Sequence, residues 1–267
     1  PLDVVWNLTL VGNVISANVP RSSIASIAAI DGVRAVVEEQ QYAPMTAQSS
    51  VQPMSHASGV MTGAHTAWSA GLTGAGSRVA IIDTGTDTDH QSFDNGAYLH
   101  SLSLCAQEAN MDPDAYLASL NLLDTGELAQ VLGRLNISEK ANVTAEELYL
   151  SEKLPFAFNY VDGDYDVTHD RDGQGEHGSH VAGIAAANRF IPTENGYADA
   201  VEAVYAAGAA PDAQLITMKV FGKLGGAYES DYMAAIEDAI LLGCDAVNLS
   251  LGSANAGPAF NDIYASF

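Results

Sequence analysis

Apolar positions along this chain repeat with a period near two in some stretches and near 3.6 in others, and the switches outline its elements. Residues 4–11 and 13–19 are apolar, β-branched runs that turn around Gly12, so two strands are expected. Ser22 and Ser23 then precede Ile24, Ile27 and Ile30, an apolar stripe at helical spacing with a hydroxyl cap. Asp31-Gly32 closes that helix, and residues 33–39 read as a further strand, giving a small α/β module over residues 1–45.

Past residue 45 the pattern thins. Residues 46–59 are polar, and residues 46–62 read as a linker. A short helix is expected over residues 63–70 and a strand over residues 78–83, where Val79-Ala80-Ile81-Ile82 is unbroken. Residues 94–156 break the rhythm with acidic helical segments at 114–123 and 144–150, and read as an insertion. The rhythm resumes with a helix over residues 177–188, a strand over 214–220, a helix over 230–242 and a strand over 246–251. In the third of these, Ser230 is placed to cap, Asp231 favours the positive helix end, Met233, Ile236 and Ile240 make one stripe, and Gly243 stops it.

Strands that alternate with helices and are apolar throughout predict an α/β fold, a doubly wound parallel sheet covered on both faces. Residues 63–267 are assigned to this domain. Ligand chemistry in such a sheet lies beyond the carboxyl ends of the strands, which is where Asp83 stands.

Charge narrows the partners. Ten Lys and Arg against 33 Asp and Glu give a formal charge of −23, a field that repels phosphate backbones, so no nucleic-acid partner is expected. Cys105 and Cys244 make no metal-type spacing; Cys244 enters an apolar strand and reads as a buried free thiol. No apolar stretch approaches the roughly 20 residues that span a bilayer. The chain opens at Pro1 and stops at Phe267 without a closing element, so it reads as an excised piece of something longer.

Two residues carry candidate chemistry. Asp83 ends a buried strand, where a carboxylate needs partners; the turn amides of Thr84 and Gly85 are one source, a histidine another. His177 opens a helix whose Gly178 and Gly183 cost about 1 kcal/mol each relative to Ala, which a close neighbour or ligand would explain. An Asp that orients a His is two-thirds of a nucleophilic triad. His177 and His180 lack the i, i+4 spacing of a zinc helix, so no metal site is assigned to them, and no GxGxxG follows Gly85. Asp162, Asp164, Asp166, Asp170 and Asp172 form an acidic run that lacks the EF-hand glycine and closing glutamate; a solvated loop is preferred, with structural calcium the alternative. Asn7, Asn136, Asn142 and Asn248 begin N-x-S/T triplets, an unspecific pattern, since Asn248 falls in an expected buried strand.

Three motifs then point to a family. Ile81-Ile82-Asp83-Thr84-Gly85 resembles the subtilase aspartate motif, His177-Gly178-Ser179-His180-Val181-Ala182-Gly183 the histidine motif, and Val247-Asn248-Leu249-Ser250-Leu251-Gly252 the substrate-binding strand. The resemblance covers about residues 63–252, and residues 1–45 resemble the tail of a subtilase propeptide. The long segment between Asp83 and His177 and the lead-in over residues 156–174 look most like cell-envelope proteinases of the lactocepin type.

The resemblance implies a serine endopeptidase that is secreted or attached to a cell envelope and needs no cofactor. It implies that Asp83 holds His177 Nδ1 and that His177 Nε2 takes the proton of a serine. The family's Gly-Thr-Ser motif is not present, and Asn255 does not match the context of the oxyanion-hole asparagine. Ser179 lies on the histidine helix, and Ser250 and Ser253 on the binding strand, so none is the expected nucleophile. The segment alone is therefore expected to be inactive and to need the other half of the catalytic domain as its partner, the cut sheet otherwise exposing a strand edge. A peptide or protein substrate would bind as an added strand between Leu224-Gly225-Gly226 and Ser250-Leu251-Gly252. The alternatives are a non-catalytic peptide-binding relative and a metalloenzyme using His177 and His180.

Overall fold

A computed structural model describes residues 2–44 and 55–252. Its centre is a four-stranded parallel sheet in the order Ala246–Leu249, Arg78–Asp83, Gln214–Lys219, Phe156–Asn159. Alternate residues of the Arg78–Asp83 strand serve opposite layers. Ile81 packs with Ala182 and Ala186 of the His177–Ala186 helix, while Ala80 and Ile82 pack with Met233, Ala234 and Ala239 of the Glu229–Leu241 helix. One helix on each face is the doubly wound arrangement that continuously apolar strands predict.

The insertion folds as short helices, Asn95–Glu108, Pro113–Ser119, Thr125–Val131, Ile137–Lys140 and Ala145–Leu148. Most start on a side-chain cap: Asp94, Asp112, Asp124 and Thr144 each accept an amide of the first turn. Arg78 ties this insertion to the sheet. Its buried guanidinium donates to Glu127 Oε2 at 2.8 Å, to the Asn121 carbonyl at 3.0 Å and to the Leu242 carbonyl at 2.7 Å.

The N-terminal residues form an antiparallel hairpin, Asp3–Leu8 with Val14–Asn18, laid on the Glu229–Leu241 helix. Trp6 and Leu8 enter the same core as Ile82 and Phe158. Acidic side chains of the helix hold the hairpin: Trp6 Nε1 donates to Asp231 Oδ1 at 2.8 Å, and Glu237 Oε1 accepts the amides of Leu10 (2.6 Å) and Val11 (2.8 Å).

Several expectations need correction. Residues 33–39 form no strand; the strand lies further on, at Gln41–Pro44, where two neighbours are available to pair with it. The helix after the hairpin is Ile24–Ala28, its Ser23 makes no capping bond, and Ile24 and Ile30 are exposed because the hairpin buries Trp6 and Leu8 instead. Residues 45–54 of the expected linker lie outside the described residues, and its end is the helix Ser55–Thr62. The helix expected over residues 230–242 starts at Glu229 without a serine cap. Its buried side carries Asp231, Glu237 and Asp238, whereas Ile240 of the expected stripe is exposed. The Ala246–Leu249 strand is an edge among the described residues, with Val247 and Leu249 exposed rather than buried on both faces. Cys105 and Cys244 form no disulfide and are half-buried; the Cys105 thiol donates to Asp212 Oδ2, and burial pushes the Cys244 thiol up to about 12.

Candidate active site

Asp83 is the last residue of its strand, buried, with its carbonyl accepting the Val220 amide at 3.0 Å. Both partners weighed from sequence meet on one oxygen. Asp83 Oδ1 accepts the Thr84 amide at 2.7 Å and lies 2.7 Å from His177 Nδ1. Thr84 then locks the turn to the histidine helix, its hydroxyl accepting the Gly178 amide at 2.9 Å and donating to the Gly175 carbonyl at 3.3 Å.

Two glycines set that approach. A Cβ on Gly178 would fall 2.1 Å from the Gly85 carbonyl oxygen, so any side chain there drives the helix away from the turn. Gly85 has φ +110°, and a Cβ on it would fall 2.0 Å from the Val167 carbonyl. The turn is thus held between the helix and the loop leading into it, and the ring at the helix start reaches the strand-end carboxylate. Gly183, paired with Gly178 in the sequence reading, has no neighbour within 4 Å and serves no close approach.

With Nδ1–H donated to Asp83, Nε2 of His177 is left as a proton acceptor, and the His177 side chain keeps 16% exposure. Ser179 is otherwise engaged, its hydroxyl accepting the Asp87 amide at 2.8 Å. His180, one turn on, is exposed, and among the described residues no group of three or more His, Cys, Asp or Glu is placed to hold a metal ion. Three carboxylates of the acidic run have partners outside it. Asp162 accepts from Asn159 Nδ2 and the Lys223 amide, Asp164 from Lys223 Nζ at 3.0 Å, and Asp172 from Lys219 Nζ at 2.8 Å.

The residues read as substrate rails border a three-stranded antiparallel sheet, whose middle strand is the chain's own Gln41–Pro44. Leu251 and Gly252 pair with Pro44 and Ala43 on one side. On the other side the pairing falls on Ala227 and Tyr228, not on Leu224-Gly225-Gly226. Leu224 is fully exposed, Gly225 accepts Gln41 Nε2 at 3.4 Å, and a Cβ on Gly226 would fall 2.1 Å from that same nitrogen. Ser250 turns its hydroxyl onto Asn248 Oδ1 at 2.8 Å.

Glu229 and Tyr232 escaped sequence reasoning. Buried Glu229 accepts the Tyr42 hydroxyl and the Gln40 amide, each at 3.2 Å, and the Tyr42 and Tyr232 rings meet edge-on at 5.6 Å. Lys219 escaped it too, although a lysine ending an apolar strand signals a buried partner.

Comparison with known proteins agrees with the motifs. The subtilase family profile matches residues 74–265, most of the chain. The PII-type proteinase of Lacticaseibacillus paracasei is 28% identical over 257 residues, covering 94% of this chain and 11% of that protein. The PI-type proteinase of Lactococcus lactis subsp. cremoris is 29% identical over 255 residues, again 94% of this chain and 11% of the relative. The minor extracellular protease Vpr of Bacillus subtilis (strain 168) is 27% identical over 256 residues, 91% of this chain and 23% of its own length. The chain thus spans about a tenth of the first two relatives, and the resemblance to lactocepin-type proteinases drawn from the motifs is met by them. Strand-end aspartate, helix-start histidine and the profile across both place this chain in the subtilase family, a family of peptidases.

Proposed function

We propose that this chain contributes the aspartate and histidine of a serine endopeptidase, with the serine nucleophile and the oxyanion donor supplied from outside the described residues. The observation that carries this reading is the 2.7 Å contact between His177 Nδ1 and the buried Asp83 Oδ1. Asp83 fixes the ring orientation and the tautomer, and it stabilises the imidazolium once that forms. His177 Nε2 accepts the proton of the serine hydroxyl as its oxygen bonds to the scissile carbonyl carbon. The same proton then passes to the leaving amine as the C–N bond breaks. The reaction needs no cofactor.

The position of Gln41–Pro44 supports peptide binding as an added strand, because the cleft already holds an extended segment by backbone pairing on both sides. In this reading the N-terminal residues are the tail of an inhibitory propeptide. The name of one relative, a minor extracellular protease, favours a place outside the cell, and the motif resemblance to cell-envelope proteinases adds the envelope.

The test uses the full-length protein that contains this chain. A fluorophosphonate serine probe is expected to label one serine, and Asp83→Asn and His177→Ala are each expected to lower kcat by about 10⁴-fold or more with the fold intact by circular dichroism. A folded wild-type protein that binds peptide but takes no probe would instead be the non-catalytic relative. Normal turnover in both variants would overturn the roles given to Asp83 and His177.

A further inference from the structure

Lys219 ends the Gln214–Lys219 strand and stands beside Asp83 in the sheet register. Its side chain is buried, as is that of Asp172, whose Oδ2 lies 2.8 Å from the ammonium. The same ammonium donates to the carbonyl of Thr84, the residue that follows Asp83 and whose amide binds Asp83 Oδ1. Asp172 belongs to the loop that enters His177. Its Oδ1 accepts the Gln174 amide at 2.9 Å, and the next carbonyl, that of Gly175, accepts the Thr84 hydroxyl. One buried cation therefore touches both the turn that follows Asp83 and the loop that delivers His177.

A buried ion pair is often no more stabilising than apolar side chains of the same size, so its presence at this point calls for a reason other than packing. We propose that Lys219 is a positioning residue for the Asp83–His177 pair. It fixes the separation of the turn and the loop, and it sets the field along the Asp83–His177 hydrogen bond. This rests on the catalytic reading of that pair. The charged or titratable groups around it are Asp83 on the neighbouring strand, Asp172 on the loop and, through Asp83, His177 on the helix. Its register neighbour on the other side, Asn159, is neutral.

The field gives a test that a purely structural tie does not pass. Lys219→Met removes the cation and leaves Asp172, so protonation of His177 becomes easier. Asp172→Asn removes the anion and leaves the cation, so protonation becomes harder. In the full-length protein, the acid limb of the kcat/KM profile is expected to move to higher pH in Lys219→Met and to lower pH in Asp172→Asn. Lys219→Met is also expected to lose about tenfold or more in kcat with KM within about twofold of wild type.

NMR titration of the His177 ring on the same proteins reads the two shifts without substrate. If Lys219→Met does not fold, Asp172→Asn still carries the test by its downward shift. Limbs and ring titrations that stay in place, or that move in the same direction in both variants, would overturn the proposal. A wild-type protein without hydrolytic activity would overturn the peptidase reading instead, and the ring titrations would still decide the role of Lys219.

Discussion

Gly178 and Gly183 look alike in sequence, each a small residue on the helix that begins with His177, yet they differ in what surrounds them. Only Gly178 faces the Gly85 turn, with room for no Cβ, while Gly183 has open space. Gly178→Ala must push the helix off the turn and lengthen the Asp83–His177 contact. An error near 1 Å in a positioned catalytic group costs on the order of 100-fold, and the overpacking itself costs about 1–3 kcal/mol. Gly183→Ala meets nothing and removes backbone freedom from the unfolded chain, so it is expected to stabilise by about 0.5–1 kcal/mol and leave turnover unchanged. Thermal melts and kcat/KM of the two variants in the full-length protein check the pair; equal effects would mean that the close approach at Gly178 does not set the site. At this scale Asp83, His177 and the need for small residues beside the ring were legible, because each sits where a regular element starts or ends. Lys219 and Asp172 were not, because their contact joins residues far apart in the chain and belongs to no local pattern.

Among the elements, those whose period reports burial on a sheet or helix were read with nearly the right bounds. The strand expected over residues 78–83 is Arg78–Asp83, since four apolar residues in a row fit a strand covered on both faces. Residues 33–39 misled because alternation marks strand propensity without naming a partner, and a short isolated strand is not stable. The segment that does pair, Gln41–Pro44, makes two register pairs on each side among the described residues, and its side chains add to that hold. Tyr42 supplies two parts of it, the edge-on contact with Tyr232 and the hydroxyl bond to Glu229. These are worth about 0.5–1.5 kcal/mol and about 1–3 kcal/mol respectively. Tyr42→Ala should therefore speed amide hydrogen exchange over residues 41–43 by at least about tenfold, and Tyr42→Phe by a smaller factor that reports the hydroxyl alone. Exchange that is the same in all three proteins would show that backbone pairing alone holds the strand in the cleft.

For the whole molecule, acidity is a matter of interior as well as surface. Three of the ten basic residues, Arg78, Lys153 and Lys219, are buried, where they serve backbone carbonyls or single carboxylates, and six acidic residues are buried among the described residues as well. The Glu229–Leu241 helix in turn buries carboxylates where an amphipathic reading expects apolar side chains, and uses them to gather separate parts of the chain. Asp231 holds Trp6 and Glu237 the turn at Leu10 and Val11, while Asp238 accepts the Asn136 amide at 2.7 Å and the Tyr160 hydroxyl at 3.0 Å. Burial outweighs these bonds at Asp238 and pushes its carboxyl up to about 7 from an ordinary 3.8. A carboxyl that holds its proton more tightly when folded favours the native state fully below the ordinary value, and that favour is lost as pH rises through the folded one. Stability is thus expected to fall between about pH 4 and pH 7, with Asp238 a main cause. General charge repulsion gives a slope of the same sign, so the difference between proteins is the informative quantity. Asp238→Asn keeps an acceptor for the Asn136 amide, and the Tyr160 hydroxyl can turn to accept from the new amide group. Its melting temperature should decline less steeply with pH over that window than that of the wild type, the two differing most at its upper end. Parallel declines in the two proteins would place the pH dependence elsewhere and show that the buried carboxylate costs the fold little when ionised.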